Sequence, residues 1–320
     1  LKEGSLVVIE STINPGVCDE IVIPLLEEKS GKKVGIDILL AHCPERINPG
    51  DPLYNVSNIN RVVGANSDKE LDVAVRLYQQ LIDAEIKPMA TIKEVEAVKV
   101  IENSFRDINI AFVNELAMSF HKLGINLENV IDGASTKPFS FMPHRPGCGV
   151  GGHCIPVDPY YLIEYAHGYG FEHDFLRLAR TINESMPQYT VDLVAEVLNK
   201  LGKSLKNTKV TLLGLAYKPN VKDSRESPAT TIRRLLEKAG VELSVYDPYL
   251  KEESTVSTLE EALDGATVLV IATGHSEFKN IADLPLDKYG TKAIVDGRNL
   301  LKYSTNKISE TGVIYQGIGI

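Results

Sequence analysis

From Thr91 to Lys122 the chain keeps one helical apolar pattern without a break. Thr91-Ile92-Lys93-Glu94 has the spacing of a capping box, and Gly124 supplies the stop. At 1.5 Å per residue the pattern predicts a helix roughly 45 Å long. Helices of this length bridge domains or pack against a partner, so the rod divides the chain. Before it, residues 1–90 alternate strand and helix: LVVIEST, DILLAHCPE and INRVVGA read as strands, with helices near 17–29 and 67–83. After it, a second long helical stretch runs from about Asp174 to Leu201, with Pro187 as a kink or break. From residue 206 the alternation resumes with KVTLLGLAY, a helix near 227–239, VELSVYD, TVLVIA and KAIVDG. The expected architecture is α/β throughout: a half-domain of parallel, Rossmann-like type over 1–90, a helical middle over 91–202 that serves as a dimer core, and a second Rossmann-like domain over 203–320.

Composition narrows the function classes. The 320 residues are 43% hydrophobic and 24% charged, with net charge −9 and no long basic run. That excludes nucleic acid as the main partner. An anionic ligand must therefore be met by local cations rather than by the overall field. No apolar run reaches the ~18 residues that span a bilayer. Cys18, Cys43, Cys148 and Cys154 show neither CxxC pairing nor zinc spacing, which reads as free thiols in a reducing cytosol and no metal site.

The stretch with the most chemistry is Pro146-Gly147-Cys148-Gly149-Val150-Gly151-Gly152-His153-Cys154-Ile155-Pro156-Val157-Asp158-Pro159. Four close-set glycines bring the backbone near something, and Asp158-Pro159 reads as a helix start with Asp158 at the N-cap. Cys154 stands just ahead of it, where the helix dipole favours thiolate. A lone cysteine is more often a small buried hydrophobe; a thiol beside a glycine-lined loop at a helix start suits a nucleophile. On the long helix, Lys99, Asn103 and Arg106 share one face. Lys218, Arg225 and Arg298 are loop cations at strand ends, and with Arg145 they suit a diphosphate and a carboxylate.

Taken with Glu10-Ser11-Thr12, Pro44-Glu45-Arg46, Lys99 to Asn103, the run GLAYKPNVKDSRESPA from Gly214 and Val295-Asp296-Gly297-Arg298, the cysteine loop resembles that of the nucleotide-sugar 6-dehydrogenases, the family of UDP-glucose dehydrogenase. The motifs fall in order over the whole chain. ENSFRDINIA and GGHCIPVDP are most similar to the branch acting on UDP-N-acetylmannosamine; STKPFSFMP leans toward the UDP-N-acetylglucosamine branch.

The resemblance implies an NAD-dependent, four-electron oxidation of a sugar C6 to the carboxylate. It makes Cys154 the nucleophile and Lys99 the cation for the developing alkoxide. Asn103 orients the same oxygen or its water, Glu45 serves as base or acid, and Asp158 holds the catalytic water. It assigns Arg46, Ile47, Arg106, His144, Arg145, Gly151, Lys218 and Arg298 to the substrate, and Thr12 and Arg225 to NAD. Where UDP-glucose dehydrogenases carry a second glutamate four residues after Glu45, this chain has Pro49. No dinucleotide glycine fingerprint joins a strand to a helix near the start. The expectation is therefore that about a hundred residues of the family's NAD domain are absent, and that the chain binds UDP without turning over. Two other classes stay open: a β-hydroxyacid dehydrogenase of the 6-phosphogluconate type, which needs no Cys154, and a UDP-binding module without activity.

Overall fold

The computed structural model describes residues 1–47 and 53–320. They form two compact units, Leu1–Phe105 with Val157–Asp174, and Arg106–Pro156 with Phe175–Ile320.

The first unit is built on a four-stranded sheet in the order β1 (Leu6–Ile9), β2 (Leu39–His42), β3 (Arg61–Ala65), β4 (Ile86–Pro88). Side chains alternate across it with period two. Leu6, Val8, Ala41 and Cys43 pack on one face with Val63, Ala74 and Tyr78; Val7, Ile9 and Leu40 pack on the other with Cys18 and Ile92. Helices α1 (Ile23–Ser30) and α2 (Asp68–Gln79) lie where the apolar period placed them, α1 after a π-turn at Cys18–Val22. The sheet corrects one expectation. β1 pairs parallel with β2 and β3 with β4, but β2 and β3 run antiparallel, with Ala41 opposite Ala65. A parallel return needs a crossover, usually a helix, and the described residues between β2 and β3 hold none. Pro49 lies outside the described residues.

His42 ends β2 fully buried, and neither ring nitrogen makes a good hydrogen bond. Burial pushes its imidazole down from 6.5 to about 4, offset in part by the Ile9 backbone. The unfolded chain therefore takes the proton first, so His42 stabilises the fold above pH 6.5 and loses that contribution as pH falls toward 4. The gap corresponds to about 2 kcal/mol lost between pH 7 and pH 5. Urea unfolding of His42→Leu at both pH values is expected to show a pH dependence flatter by that amount; an unchanged difference refutes the assignment.

Helix α3 (Ile92–Leu123) opens on the expected capping box. The Glu94 amide donates to Thr91 Oγ1 at 3.1 Å and the Thr91 amide donates to Glu94 Oε2 at 3.2 Å. The boundary between the units falls within α3. Helix α4 (Leu127–Ala134) follows it. Helix α5 (Asp158–Gly168) belongs to the first unit, and helix α6 (Asp174–Lys200) runs unbroken through Pro187. Lacking an N–H, Pro187 leaves the Asn183 carbonyl without its helical donor. That carbonyl faces the glycine loop, where a Cβ on Gly149 would stand 3.4 Å from it.

The second unit carries a fully parallel sheet of β5 (Lys209–Leu213), β6 (Glu242–Tyr246), β7 (Val268–Ile271), β8 (Ala293–Asp296) and β9 (Ile314–Gly317). Its order is β6-β5-β7-β8-β9. Helices α7 (Pro228–Lys238), α8 (Leu259–Leu263) and α9 (Thr305–Glu310) connect the strands. β7 is an apolar run buried on both faces, as a central parallel strand must be. The strand order reverses between β5 and β7. In open α/β sheets that switch point, at the carboxyl ends of the strands, is where ligands bind.

Candidate active site

In the first unit Glu45 follows β2, and its carboxylate is held by three donors. Oε1 accepts from the Arg46 and Ile47 amides at 2.6 and 2.8 Å, and Oε2 accepts from Arg61 at 2.7 Å. Arg61 itself is buried at the start of β3. The Arg46 guanidinium turns instead to Glu102 and to the Asn60 carbonyl, at 3.0 Å for the latter. On α3, Lys99 and Asn103 are half-buried and Arg106 is exposed. Asn103 Nδ2 donates to Asp158 Oδ2 at 2.5 Å. Asp158 corrects the N-cap reading: the cap position is Val157 and makes no side-chain bond, while Asp158 is the first helical residue and is buried. Its carboxylate accepts from Asn103 on α3.

The loop after β1 contains half-buried Thr12 and the Asn14 side chain, whose buried Oδ1 has no hydrogen-bond partner. An orphaned acceptor at the carboxyl end of a strand fits a donor such as a ribose hydroxyl or a carboxamide of a dinucleotide. The helix start beyond it does not fit a pyrophosphate. The Gly16 and Cys18 amides already donate to the buried Glu96 carboxylate, at 2.9 Å for Cys18.

In the second unit the loops after β5, β7 and β8 converge at the switch point. Gly214 has φ +90°, and a Cβ there would stand 2.4 Å from that of Thr273, so only glycine turns this corner. Tyr217 and half-buried Lys218 follow it. Arg298 Nε donates to the Ala272 carbonyl at 2.8 Å and its Nη1 to Gly149 O at 3.3 Å. The glycine loop is fastened from beneath by the Cys148 amide on Gly297 O at 2.9 Å and the Gly147 amide on Asn114 Oδ1 at 2.9 Å. What its glycines approach is protein. A Cβ on Gly151 would meet Glu226 O and Pro228 Cδ at 2.8 Å, and one on Gly152 the Tyr217 ring at 2.9 Å. Gly147 to Gly152 has the literal G-x-G-x-x-G spacing but follows no strand.

Cys154 is half-buried, whereas Cys18, Cys43 and Cys148 are buried. Burial pushes the Cys43 thiol up to about 11 and raises those of Cys18 and Cys148. Cys154 lies within electrostatic range of Arg225 and Tyr217, and the Gly152 amide donates to Arg225 O at 3.3 Å. A guanidinium beside a thiol favours the thiolate. Arg225 is exposed and paired with Asp223 at 2.6 Å. The half-buried His144 ring contacts the Met142 carbonyl at 3.0 Å. Arg145 pairs with Asp132 and, at 2.7 Å, with Glu128, which also binds Lys302. Among the described residues no cluster of His, Cys, Asp or Glu could hold a metal ion, and no helix is long and apolar enough to cross a membrane.

Sequence reasoning missed Arg61, Glu96, Asp247, His275 and the buried group Asp107, Arg180, Asn183 and Asn114. A charge inside an apolar strand marked Arg61, and an acid among apolar neighbours one turn after Asn103 marked Asp107. The other residues carried no such signal.

Three family models match in order: the NAD binding domain of the UDP-glucose/GDP-mannose dehydrogenase family at residues 1–82, its central domain at 93–185 and its UDP binding domain at 211–303. The first match identifies NAD as the cofactor and gives no support to the expected inactivity. The chain is 38% identical to the UDP-N-acetyl-D-mannosamine dehydrogenase of Pyrococcus horikoshii, over 100% of this chain and 73% of that protein. It is 37% identical to the UDP-N-acetyl-D-glucosamine 6-dehydrogenase of Pseudomonas aeruginosa, over 91% of this chain and 70% of that one. The solved Pyrococcus horikoshii structure superimposes with a TM-score of 0.91. An NDP-N-acetyl-D-galactosaminuronic acid dehydrogenase from Methanosarcina mazei, 35% identical, gives 0.89 over 100% of this chain and 70% of that one. With three family models matched in order and relatives 37–38% identical of which it spans 70–73%, the chain belongs to the UDP-glucose/GDP-mannose dehydrogenase family.

Proposed function

We propose that this protein oxidises C6 of UDP-N-acetylmannosamine to the uronate, through a covalent adduct on Cys154. The observation that carries the reading is the setting of Cys154: a half-buried thiol on the glycine loop, in the electrostatic range of Arg225. UDP-N-acetylglucosamine is the second substrate reading, favoured by the run STKPFSFMP and by the near-equal identity to the Pseudomonas relative.

NAD, when bound, accepts a hydride in each of two oxidations, and Thr12, Asn14 and Arg225 are the residues that would hold it. Lys99 takes the charge of the developing alkoxide in the first oxidation. The Cys154 thiolate then adds to the aldehyde carbon, and the carbonyl oxygen gains a proton. This tetrahedral thiohemiacetal solves the chemical problem of the second step, since it has a hydride to lose where the bare aldehyde carbon is a poor donor. Its oxidation leaves a thioester on Cys154. Water bound alongside the Asn103–Asp158 pair attacks that thioester, and Glu45, fixed in orientation by Arg61 and two amides, takes the proton. Carboxylate product leaves and the thiol is restored. Two NADH per sugar is the defining stoichiometry, and its formation from either UDP-N-acetylhexosamine by the purified chain tests the proposal. UDP binding with no NADH from either sugar favours the binding-module reading.

Lys218 and Arg298 are proposed to meet the nucleotide sugar at the switch point. Replacing either with alanine is expected to weaken UDP binding by about 1.5–3 kcal/mol, the range for a charge-assisted hydrogen bond. Calorimetry giving wild-type affinity for both variants removes the assignment. The segments 1–90, 91–202 and 203–320 are proposed as cofactor, dimer and UDP-sugar regions of a cytosolic enzyme. Exposed Ile101, Phe105 and Phe112 on α3, at helical spacings of four and seven, support a homodimer through that helix.

A further inference from the structure

The loop carrying Tyr217 and Lys218 is tied down at both ends by two fully buried residues without a role so far, Asp247 and His275. Asp247 follows β6. Its Oδ2 accepts from the Leu215 and Ala216 amides at 2.6 and 3.0 Å, and from His275 Nε2 at 2.9 Å. Its Oδ1 accepts from the Tyr249 and Leu250 amides at 2.8 and 3.1 Å. Burial by itself would raise this carboxyl, but the bonds from His275, Leu215 and Ala216 outweigh it and hold the group down at about 2.

His275 follows β7, and its other nitrogen, Nδ1, accepts the Asn220 amide at 3.0 Å. A backbone N–H only donates, so Nδ1 carries no proton and Nε2 carries the one given to Asp247. Tyr249 and Phe278 flank the ring, at 5.0 and 5.5 Å between centroids, and fix its plane. The Asn220 side chain and Ser276 bond reciprocally, Ser276 N to Asn220 Oδ1 at 3.0 Å and Asn220 Nδ2 to Ser276 Oγ at 2.9 Å. Thus the amides of residues 215 and 216 end on Asp247, and that of residue 220 ends on the histidine that Asp247 orients.

A side chain that only filled space here would need no polar atoms, and burying an imidazole costs hydration that a phenylalanine does not lose. The polar atoms are accounted for by the loop they hold. We propose that His275 is a positioning residue for nucleotide binding: as a neutral ring it relays the Asp247 carboxylate to the Asn220 amide and so sets the loop that presents Tyr217 and Lys218. The proposal rests on the reading that Lys218 meets the UDP moiety.

Two substitutions separate the ring's two contacts. His275→Gln keeps a donor near the Nε2 position and loses the acceptor for Asn220. His275→Asn keeps an acceptor near the Nδ1 position and loses the donor to Asp247. UDP is titrated calorimetrically into the whole chain and its variants, and amide exchange is followed by mass spectrometry. His275→Gln is expected to raise the Kd for UDP about three- to tenfold, the effect of one hydrogen bond, and to speed exchange within residues 215–220 alone. His275→Asn, which keeps the acceptor for Asn220 but loses its orientation by Asp247, is expected to raise the Kd and speed exchange in the same residues by clearly less than His275→Gln does. Equal weakening in both variants, faster exchange throughout the second unit, or failure of both to fold makes His275 a core residue and overturns the proposal. Lys218→Ala keeps the two readings apart. If it weakens UDP binding while His275→Gln does not, only the positioning role falls. If it binds as wild type does, or the wild type does not bind UDP, the underlying assignment falls with it.

Discussion

With Cys154 replaced by serine, NADH formation from a UDP-N-acetylhexosamine is expected to drop by ~10³-fold or more, the usual scale for loss of a catalytic nucleophile. The reason is chemical rather than steric. A serine hydroxyl at neutral pH is almost wholly protonated and adds poorly to an aldehyde, whereas a cysteine thiol ionises far more readily and is the stronger nucleophile. Lys99 and the first oxidation are untouched, so a burst of at most one NADH per active site followed by a stall is the expected trace. Two NADH per sugar at the wild-type rate in Cys154→Ser eliminates the covalent route. UDP affinity in the same variant should stay within twofold of wild type, since Lys218 and Arg298 are retained.

The largest stability effect is expected at Asp107, which stands on α3 buried beside Arg180 of α6. Arg180 Nη1 donates to Asp107 Oδ1 at 2.7 Å, and Asn183 Nδ2 donates to the same oxygen at 2.8 Å. Asn183 in turn accepts from Asn114 at 2.9 Å, and Asn114 holds the Gly147 amide. The network therefore reaches from two helices to the first residues of the glycine loop. Asp107→Ala leaves the Arg180 charge buried, with the exposed Glu184 as its remaining partner at 3.2 Å among the described residues. Removing one member of a buried ion pair costs about 3–5 kcal/mol, to be read as a lowered urea midpoint. Asp107→Leu combined with Arg180→Met removes both charges and should recover most of the loss, because the penalty belongs to the stranded charge. A single variant as stable as wild type, or a double variant no better than the single, contradicts this account.

Much of the candidate site is legible in the amino-acid sequence. Cys154, Lys99 and Asn103 stand out because each breaks a local rule: a thiol amid glycines, or polar groups on one face of an apolar helix; Glu45 enters only through the family resemblance. The partners that orient them do not stand out. Glu45 is held by Arg61, and Asn103 by Asp158; each pair is distant in sequence and lacks a shared motif. Asp158 reads as a cap because Asp before Pro is a good local signal. The tertiary contact to Asn103 takes that carboxylate instead.

What the sequence determined by itself is what a few neighbouring residues decide. Thr91 and Glu94 close a capping box, Gly31 in a left-handed conformation ends α1, and the apolar runs become β1 to β3 and β5 to β8. These forces act within a turn or a strand, so composition and spacing express them. Only the tertiary structure decided that β3 runs antiparallel to β2, that Glu96 fills the helix start after Gly16, and that His275 lies between Asp247 and Asn220. Each joins residues dozens of positions apart. Burial strengthens such bonds and makes their absence costly, and it exists only once the whole core has closed.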